Sequence, residues 1–473
     1  MTASPLAPAW LDHPENVNTL RPVQWAAGVA RTAHGELAMQ GIPVSALAEQ
    51  FGTPLFVLDE NDFRARAAGF KTAFDDAFRG LCGGVDVYYA GKAFLCTEVA
   101  RWVGAEGLRL DTCSGGELAV AAAAGVPGAD LSLHGNNKSV AEITRAIQMG
   151  VGRIVVDSLD ELERVIRTAD SLGQRANVML RITPGVHAST HEAIATAHED
   201  QKFGLSILAD PSGTSPALAA VDRALAAANV NLLGLHAHIG SQIFEAEGFA
   251  MVARTMLGIL AQIRELHGVE LGELDLGGGY GIAYTEQDHP STPAKLAAQM
   301  AGVVQEQCAL LEIACPRISI EPGRAIAGPS TFTLYEVGVR KDVQVEDEAG
   351  ALHPRRYISV DGGMSDNPRP VLYDAQYTAV LAGRMTQNDA IISRVVGKHC
   401  ESGDIVVKDV YLPEDVTAGD LLAVPATGAY CWALSSNYNY LTRPAVVAVR
   451  DGQARLIVRR ETEADLLARD MGV

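Results

Sequence analysis

Val85-Asp86-Val87-Tyr88-Tyr89-Ala90 runs into the turn Gly91-Lys92, and Leu108-Arg109-Leu110-Asp111-Thr112-Cys113 runs into Ser114-Gly115-Gly116-Glu117. Both stretches join a short, nearly continuous apolar run to the start of a helix-like segment. Six more runs repeat the arrangement, at residues 131–135, 153–157, 177–182, 232–239, 274–277 and 317–321. Apolar runs without alternation are what strands buried on both faces require. Ser114-x-x-Glu117, Ser139-x-x-Glu142 and Ser158-x-x-Glu161 read as capping boxes that start the intervening helices. Residues 118–124 then supply Ala-rich helix former. Eight β/α units in about 260 residues predict a closed (β/α)8 barrel. The rival is an open doubly wound sheet. It calls for a Gly-rich turn after its first strand, and Ala90-Gly91-Lys92 is not G-x-G-x-x-G. The connections after the fifth and seventh strands are long. Residues 185–206, polar and His-rich, are expected to form a barrel loop.

Beyond residue 328 the pattern changes. β-prone runs at 331–345, 357–360, 391–396, 404–410, 421–425, 445–449 and 454–458 stand between turn signals such as Asp361-Gly362-Gly363 and Asp451-Gly452. The fold class is therefore α/β plus all-β: a barrel at 62–328, with residues 1–61 and 329–473 forming a mostly β domain. Pro54-Leu55-Phe56-Val57-Leu58 reads as a strand that joins this second domain. The first 40 residues carry no functional signal.

The balance of charge narrows the partners. With 38 Lys and Arg against 57 Asp and Glu, the net charge is −19. That argues against a nucleic-acid backbone or an anionic membrane surface. No apolar window reaches the length of a membrane span, and residues 1–20 have no signal-peptide character. The seven cysteines include no C-x-x-C pair. A disulfide framework and a structural metal are not expected, and a cytoplasmic location is.

Function in a barrel gathers at the carboxyl ends of its strands. Lys92, Asp111, Cys113, Arg181, His236, His238, residues 277–279, Glu321 and Arg324 all fall there. A desolvated Lys92 forms a Schiff base; taken alone, it is equally a surface lysine past a strand. Gly277, Gly278 and Gly279 either offer backbone N–H groups to an anion or only make a tight turn. His238 stacks on a planar cofactor with Ser241 at its phosphate, or it is a core histidine. His236 is read as a core histidine bonded to a backbone carbonyl. Glu321-Pro322-Gly323-Arg324 presents a carboxylate that can keep a pyridine nitrogen protonated and an arginine that can clamp an anion, or it is an ion pair closing a turn. In the β domain, Asp366-Asn367-Pro368-Arg369-Pro370 leads to Tyr373. Lys398-His399-Cys400-Glu401-Ser402 holds a thiol suited to acid–base work or inert in a turn, and Gly428-Ala429-Tyr430 precedes Ser435-Ser436-Asn437.

The ordered set Tyr-Tyr-Ala-Gly-Lys92, His-Gly-Asn-Asn-Lys138, His238-Ile-Gly-Ser241-Gln, Gly277-Gly-Gly279, Glu321-Pro-Gly-Arg324, Asn367-Pro-Arg369-Pro with Tyr373, Cys400-Glu401-Ser402 and Gly-Ala-Tyr430 resembles the fold type III pyridoxal 5'-phosphate-dependent decarboxylases over residues 45 to 465. The resemblance implies that Lys92 carries the cofactor and that His238 lies on its ring. It implies that Ser241, Gly279, Gly323 and Arg324 bind its phosphate region, with Asp111, Arg181, Gly277, Gly278 and Tyr430 around it. Glu321 would meet the pyridine nitrogen. Arg324, Arg369, Tyr373, Glu401 and Tyr430 would hold the substrate, and Cys400 would return a proton after carbon dioxide leaves. It also implies a homodimer with shared sites. Two arginines and a tyrosine suit a distal carboxylate, which favours meso-2,6-diaminopimelate as substrate and L-lysine as product, the last step of bacterial lysine biosynthesis. The competing readings are a decarboxylase of the carboxynorspermidine, ornithine or arginine type, a catalytically silent cofactor-binding relative, and a Schiff-base aldolase barrel without the cofactor. Lys92 and Cys400 are both present, which counts against the silent relative.

Overall fold

The computed structural model describes residues 4–82, 84–185, 200–209, 213 and 215–472. The chain divides into two compact units, one of residues 66–281 and 290–325, the other of residues 1–65, 282–289 and 326–473.

In the first unit the strands are β1 (Val85–Ala90), β2 (Arg109–Thr112), β3 (Leu131–Leu133), β4 (Arg153–Val156), β5 (Ala176–Thr183), β6 (Val230–His236), β7 (Glu273–Asp275) and β8 (Arg317–Ile320). Each pairs in parallel with the next, and β8 pairs with β1. That last pairing closes the sheet and excludes the doubly wound alternative. The apolar runs thus mark the strands, with one exception inside the barrel. Arg153 on β4 is 1% exposed. Its guanidinium donates to Ser319 Oγ at 2.8 Å, pairs with Asp275 and lies 3.9 Å from the centre of the Tyr88 ring. A buried cation is tolerated there because a carboxylate, a hydroxyl and an aromatic face replace its water.

The helix starts are real, with a variation. Ser139 and Glu142 make the reciprocal box. Ser114 and Ser158 cap the N–H of Glu117 and Glu161, but each glutamate reaches one residue further back, to the N–H of Cys113 or Asp157. The long loop after β5 lies mostly outside the described residues. What is described includes the two-residue strand Leu205–Ser206, parallel to the end of β5. Cys82 and Cys315 form a disulfide with Cα atoms 4.4 Å apart. The scattered spacing gave no hint of it, because the pairing follows from β1 and β8 being neighbours across the barrel seam.

The second unit is built on Thr331–Glu346, which pairs antiparallel with Leu352–Val360 along one half and with Leu55–Asp59 and Leu421–Val424 along the other. Leu55–Asp59 also runs parallel to Ala445–Arg450, so the early strand completes a late sheet, as expected. The N-terminal residues do structural work here. Trp25, Leu37, Met39, Val44 and Leu47 share one buried core with Leu55, Val57, Phe332 and Leu334. No helix among the described residues is long and apolar enough to cross a membrane.

Candidate active site

The barrel brings its expected residues to the carboxyl ends of its strands. Lys92 sits in the short 3-10 turn Gly91–Ala93 after β1. It is exposed, and its charge acts on the buried Asp111 and His238. Gly91 is required there, since a Cβ would stand 2.8 Å from the Asp111 carbonyl oxygen. Next to it on the rim, past the end of β8, the Arg324 guanidinium donates to Ser241 Oγ at 2.6 Å. This joins two residues expected to meet an anion.

The glycine turn after β7 is more committed than its sequence suggests. The Gly277 N–H donates to Asp275 Oδ1 at 2.7 Å, and the Gly278 N–H donates to His238 Nδ1 at 3.2 Å. Two of the three N–H groups are therefore used within the protein, which corrects the expectation of an open nest. Gly277 and Gly279 have φ of 70° and 112°, where other residues are strained, and a Cβ on Gly278 would collide with the Glu321 carbonyl. His238 is fixed by the same contact. Accepting at Nδ1 requires that nitrogen to be unprotonated, and burial together with the charges of Lys92 and Arg181 holds the ring well below the usual imidazole range.

Glu321 is 4% exposed at the end of β8. Its Oε1 lies 3.1 Å from His134 Nε2 and 3.3 Å from His236 Nε2, but neither approach makes a hydrogen bond. His134 Nε2 is also 3.2 Å from Asp111 Oδ1. Burial pushes both carboxyls up. For Glu321 the two imidazole edges outweigh burial and hold it well below the usual range. Asp111, buried and facing the charge of Glu321, rises well above it. The two neighbouring acids are thus driven in opposite directions. His236 thus does not bond a backbone carbonyl as the sequence suggested; it faces Glu321. His134 was quoted within a motif but given no role. It comes from β3, and only barrel closure sets it against β6 and β8. Ligand atoms of His134, His236 and Glu321 lie within 4.8 Å of one another, a set that can also hold a divalent cation. Arg181 lies over the Phe203 ring at 4.2 Å, with its Nε 3.8 Å from Asp157 Oδ1.

The β unit collects the other set. Arg369 is 6% exposed. It donates to the Tyr377 hydroxyl at 2.7 Å and lies 4.7 Å from the Tyr284 ring centre. It forms no ion pair among the described residues. Tyr284 and Tyr377 were not singled out in the sequence, since each is a lone aromatic in an ordinary loop. Tyr373, Cys400 and Glu401 are exposed, while Tyr430 is half-buried with φ of 61°. The imidazole of His399 turns to Ser365 Oγ and Asn439 Oδ1, at 2.9 and 3.1 Å.

The sequence matches the family described as pyridoxal-dependent decarboxylase, pyridoxal binding domain, over residues 61–328. It is 50% identical over 453 residues to a diaminopimelate decarboxylase of Mycobacterium tuberculosis, covering 95% of this chain and 98% of that one. The identity to a Bacillus subtilis diaminopimelate decarboxylase is 42% over 439 residues, covering 93% and 96%. Among solved structures, a diaminopimelate decarboxylase from M. jannaschii in complex with L-lysine matches with a TM-score of 0.86 and 31% identity, covering 94% and 98%. A lysine/ornithine decarboxylase from Vibrio vulnificus complexed with cadaverine matches with a TM-score of 0.68 and 26% identity, covering 86% and 97%.

Proposed function

The chain belongs to the pyridoxal-dependent decarboxylases, in the group of the diaminopimelate decarboxylases, and from this we propose that it converts meso-2,6-diaminopimelate to L-lysine and carbon dioxide. Among the structural observations, Arg369 carries the choice of substrate. A buried guanidinium with a hydroxyl and aromatic faces around it, and no carboxylate partner among the described residues, lacks a counter-charge. A substrate with a distal carboxylate supplies one. Ornithine and arginine bring a distal cation instead, which such a site repels.

The barrel residues fit pyridoxal 5'-phosphate. Glu321 offers a buried carboxylate held, against burial, well below its usual range by His134 and His236, a counter-charge for a protonated ring nitrogen. Lys92 Nζ would hold the cofactor covalently. His238, Asp111, Arg181, Gly277 and Gly278 would flank it, and Ser241, Gly279, Gly323 and Arg324 would receive its phosphate end. When bound, the cofactor supplies an electron sink for the charge left on Cα as carbon dioxide departs. The protein's part is electrostatic and positional. Glu321 keeps its partner nitrogen protonated, and His134 and His236 keep Glu321 ionised. Arg369, Tyr373, Glu401, Arg324 and Tyr430 hold the substrate. Cys400 Sγ–H delivers a proton to the carbon that has lost carbon dioxide. The expected preference in kcat/KM for meso-2,6-diaminopimelate over L-ornithine is about 10³-fold or more, as for sites that leave a buried polar group unmatched with the wrong ligand. Comparable values for the two would remove Arg369 from substrate selection.

The same reading includes a homodimer in which Cys400 of one subunit serves the barrel of the other. Val371, Leu372, Tyr373, Tyr438 and Tyr440 support it, as exposed apolar side chains on the segments around Cys400. Inactive Lys92→Ala and strongly slowed Cys400→Ala proteins should recover activity when mixed, because one native site forms per mixed dimer. No recovery despite demonstrated subunit exchange would count against shared sites.

A further inference from the structure

Asn439 holds the backbone of Cys400. Its Oδ1 accepts the Cys400 N–H at 3.3 Å and lies 3.1 Å from His399 Nδ1. One imidazole tautomer satisfies both ends of the ring: Nδ1–H donates to Asn439, and Nε2 accepts the Ser365 hydroxyl at 2.9 Å. His399 is 8% exposed and stacks on Tyr438 with ring centres 5.4 Å apart. Asp404 fastens the far side of the loop, accepting the His399 N–H at 2.8 Å and the Met364 N–H at 2.6 Å. The loop is thus pinned from beneath while its thiol-bearing residue stays exposed.

The backbone of Asn439 is shaped for this contact. It lies in the left-handed region, φ 52° and ψ 23°, and Tyr440 follows at φ 58°. Asn is among the few residues other than Gly that adopt this conformation readily. A glycine would relieve the backbone but give no acceptor, and most other residues would give strain.

We infer that Asn439 is a positioning residue for Cys400: its amide oxygen fixes the Cys400 peptide so that the thiol meets the reacting carbon in one orientation. The inference rests on Cys400 as the proton donor. Displacing a reacting group slightly lowers rate without weakening substrate binding.

Two variants separate the oxygen from the backbone. Asn439→Gly keeps the left-handed turn and removes the acceptor. Asn439→Asp keeps an acceptor oxygen in the same place. In steady-state assays of the holoenzyme, Asn439→Gly should lower kcat about tenfold with KM within about twofold of the parent. Asn439→Asp should stay within about threefold in kcat. In a Cys400→Ala background, Asn439→Gly should add no further loss, because a residue acting through the thiol then has nothing to position. A parent-like kcat in Asn439→Gly, an equal loss in Asn439→Asp, or a full additional loss on top of Cys400→Ala would each overturn the inference. Cys400→Ala alone turning over at the parent rate would instead remove the proton donor itself, and the inference with it.

Discussion

Lys92→Ala is expected to abolish turnover and the visible absorbance of bound cofactor after dialysis. The argument is chemical. Among the described residues, two other lysines follow barrel strands: Lys138 is buried against Glu161 at 2.9 Å with its ammonium also on two backbone carbonyls, and Lys202 lies 4.7 Å from the Phe203 ring centre. No second amine is therefore placed to replace it. The fold should not suffer. Lys92 is exposed, and surface substitutions of this kind usually change stability by about 0.5 kcal/mol or less. A melting temperature equal to that of the cofactor-free parent, beside lost absorbance, is the full expected result. Absorbance that survives dialysis would reject Lys92 as the anchor.

Cys400→Ala is expected to retain the cofactor and slow turnover by about 10²–10⁴, the usual cost of losing a general acid or base. The loop around it survives the change. The Gly397 N–H still donates to the Asp404 carbonyl at 3.0 Å, and the Asp404 side chain still takes the His399 N–H. Only Sγ is lost, and with it the proton for the carbon that released carbon dioxide. Binding of substrate should change little, since Arg369 and the tyrosines remain. A parent-like kcat would take Cys400 out of the mechanism.

What could be read in advance followed from local rules. The eight strands were legible because runs buried on both faces show in sequence, and their ends named the rim, from Lys92 to Arg324. The joining of Leu55–Asp59 to the β unit was legible as a strand without a barrel helix behind it. What escaped depends on closure. His134, His236 and Glu321 come from β3, β6 and β8, so no spacing reveals their contact. The Cys82–Cys315 disulfide spans 233 residues and arises only at the barrel seam. Lys92 was expected to be desolvated because strand ends in a barrel mouth are enclosed; its side chain is exposed, while its charge still acts on the buried Asp111 and His238. The glycine triplet was read either as open donors or as a tight turn, and His238 and Asp275 claim two of its N–H groups. Arg369 was legible as an anion clamp, whereas the aromatic shell of Tyr284 and Tyr377 that leaves it without a counter-charge was not.

The purified protein, supplied with pyridoxal 5'-phosphate and meso-2,6-diaminopimelate, gives the most direct test when carbon dioxide and L-lysine are measured together. Equimolar release of both is the predicted result. No release, from protein that still shows the visible absorbance of bound cofactor, would contradict the assigned reaction while leaving the barrel and its cofactor site in place.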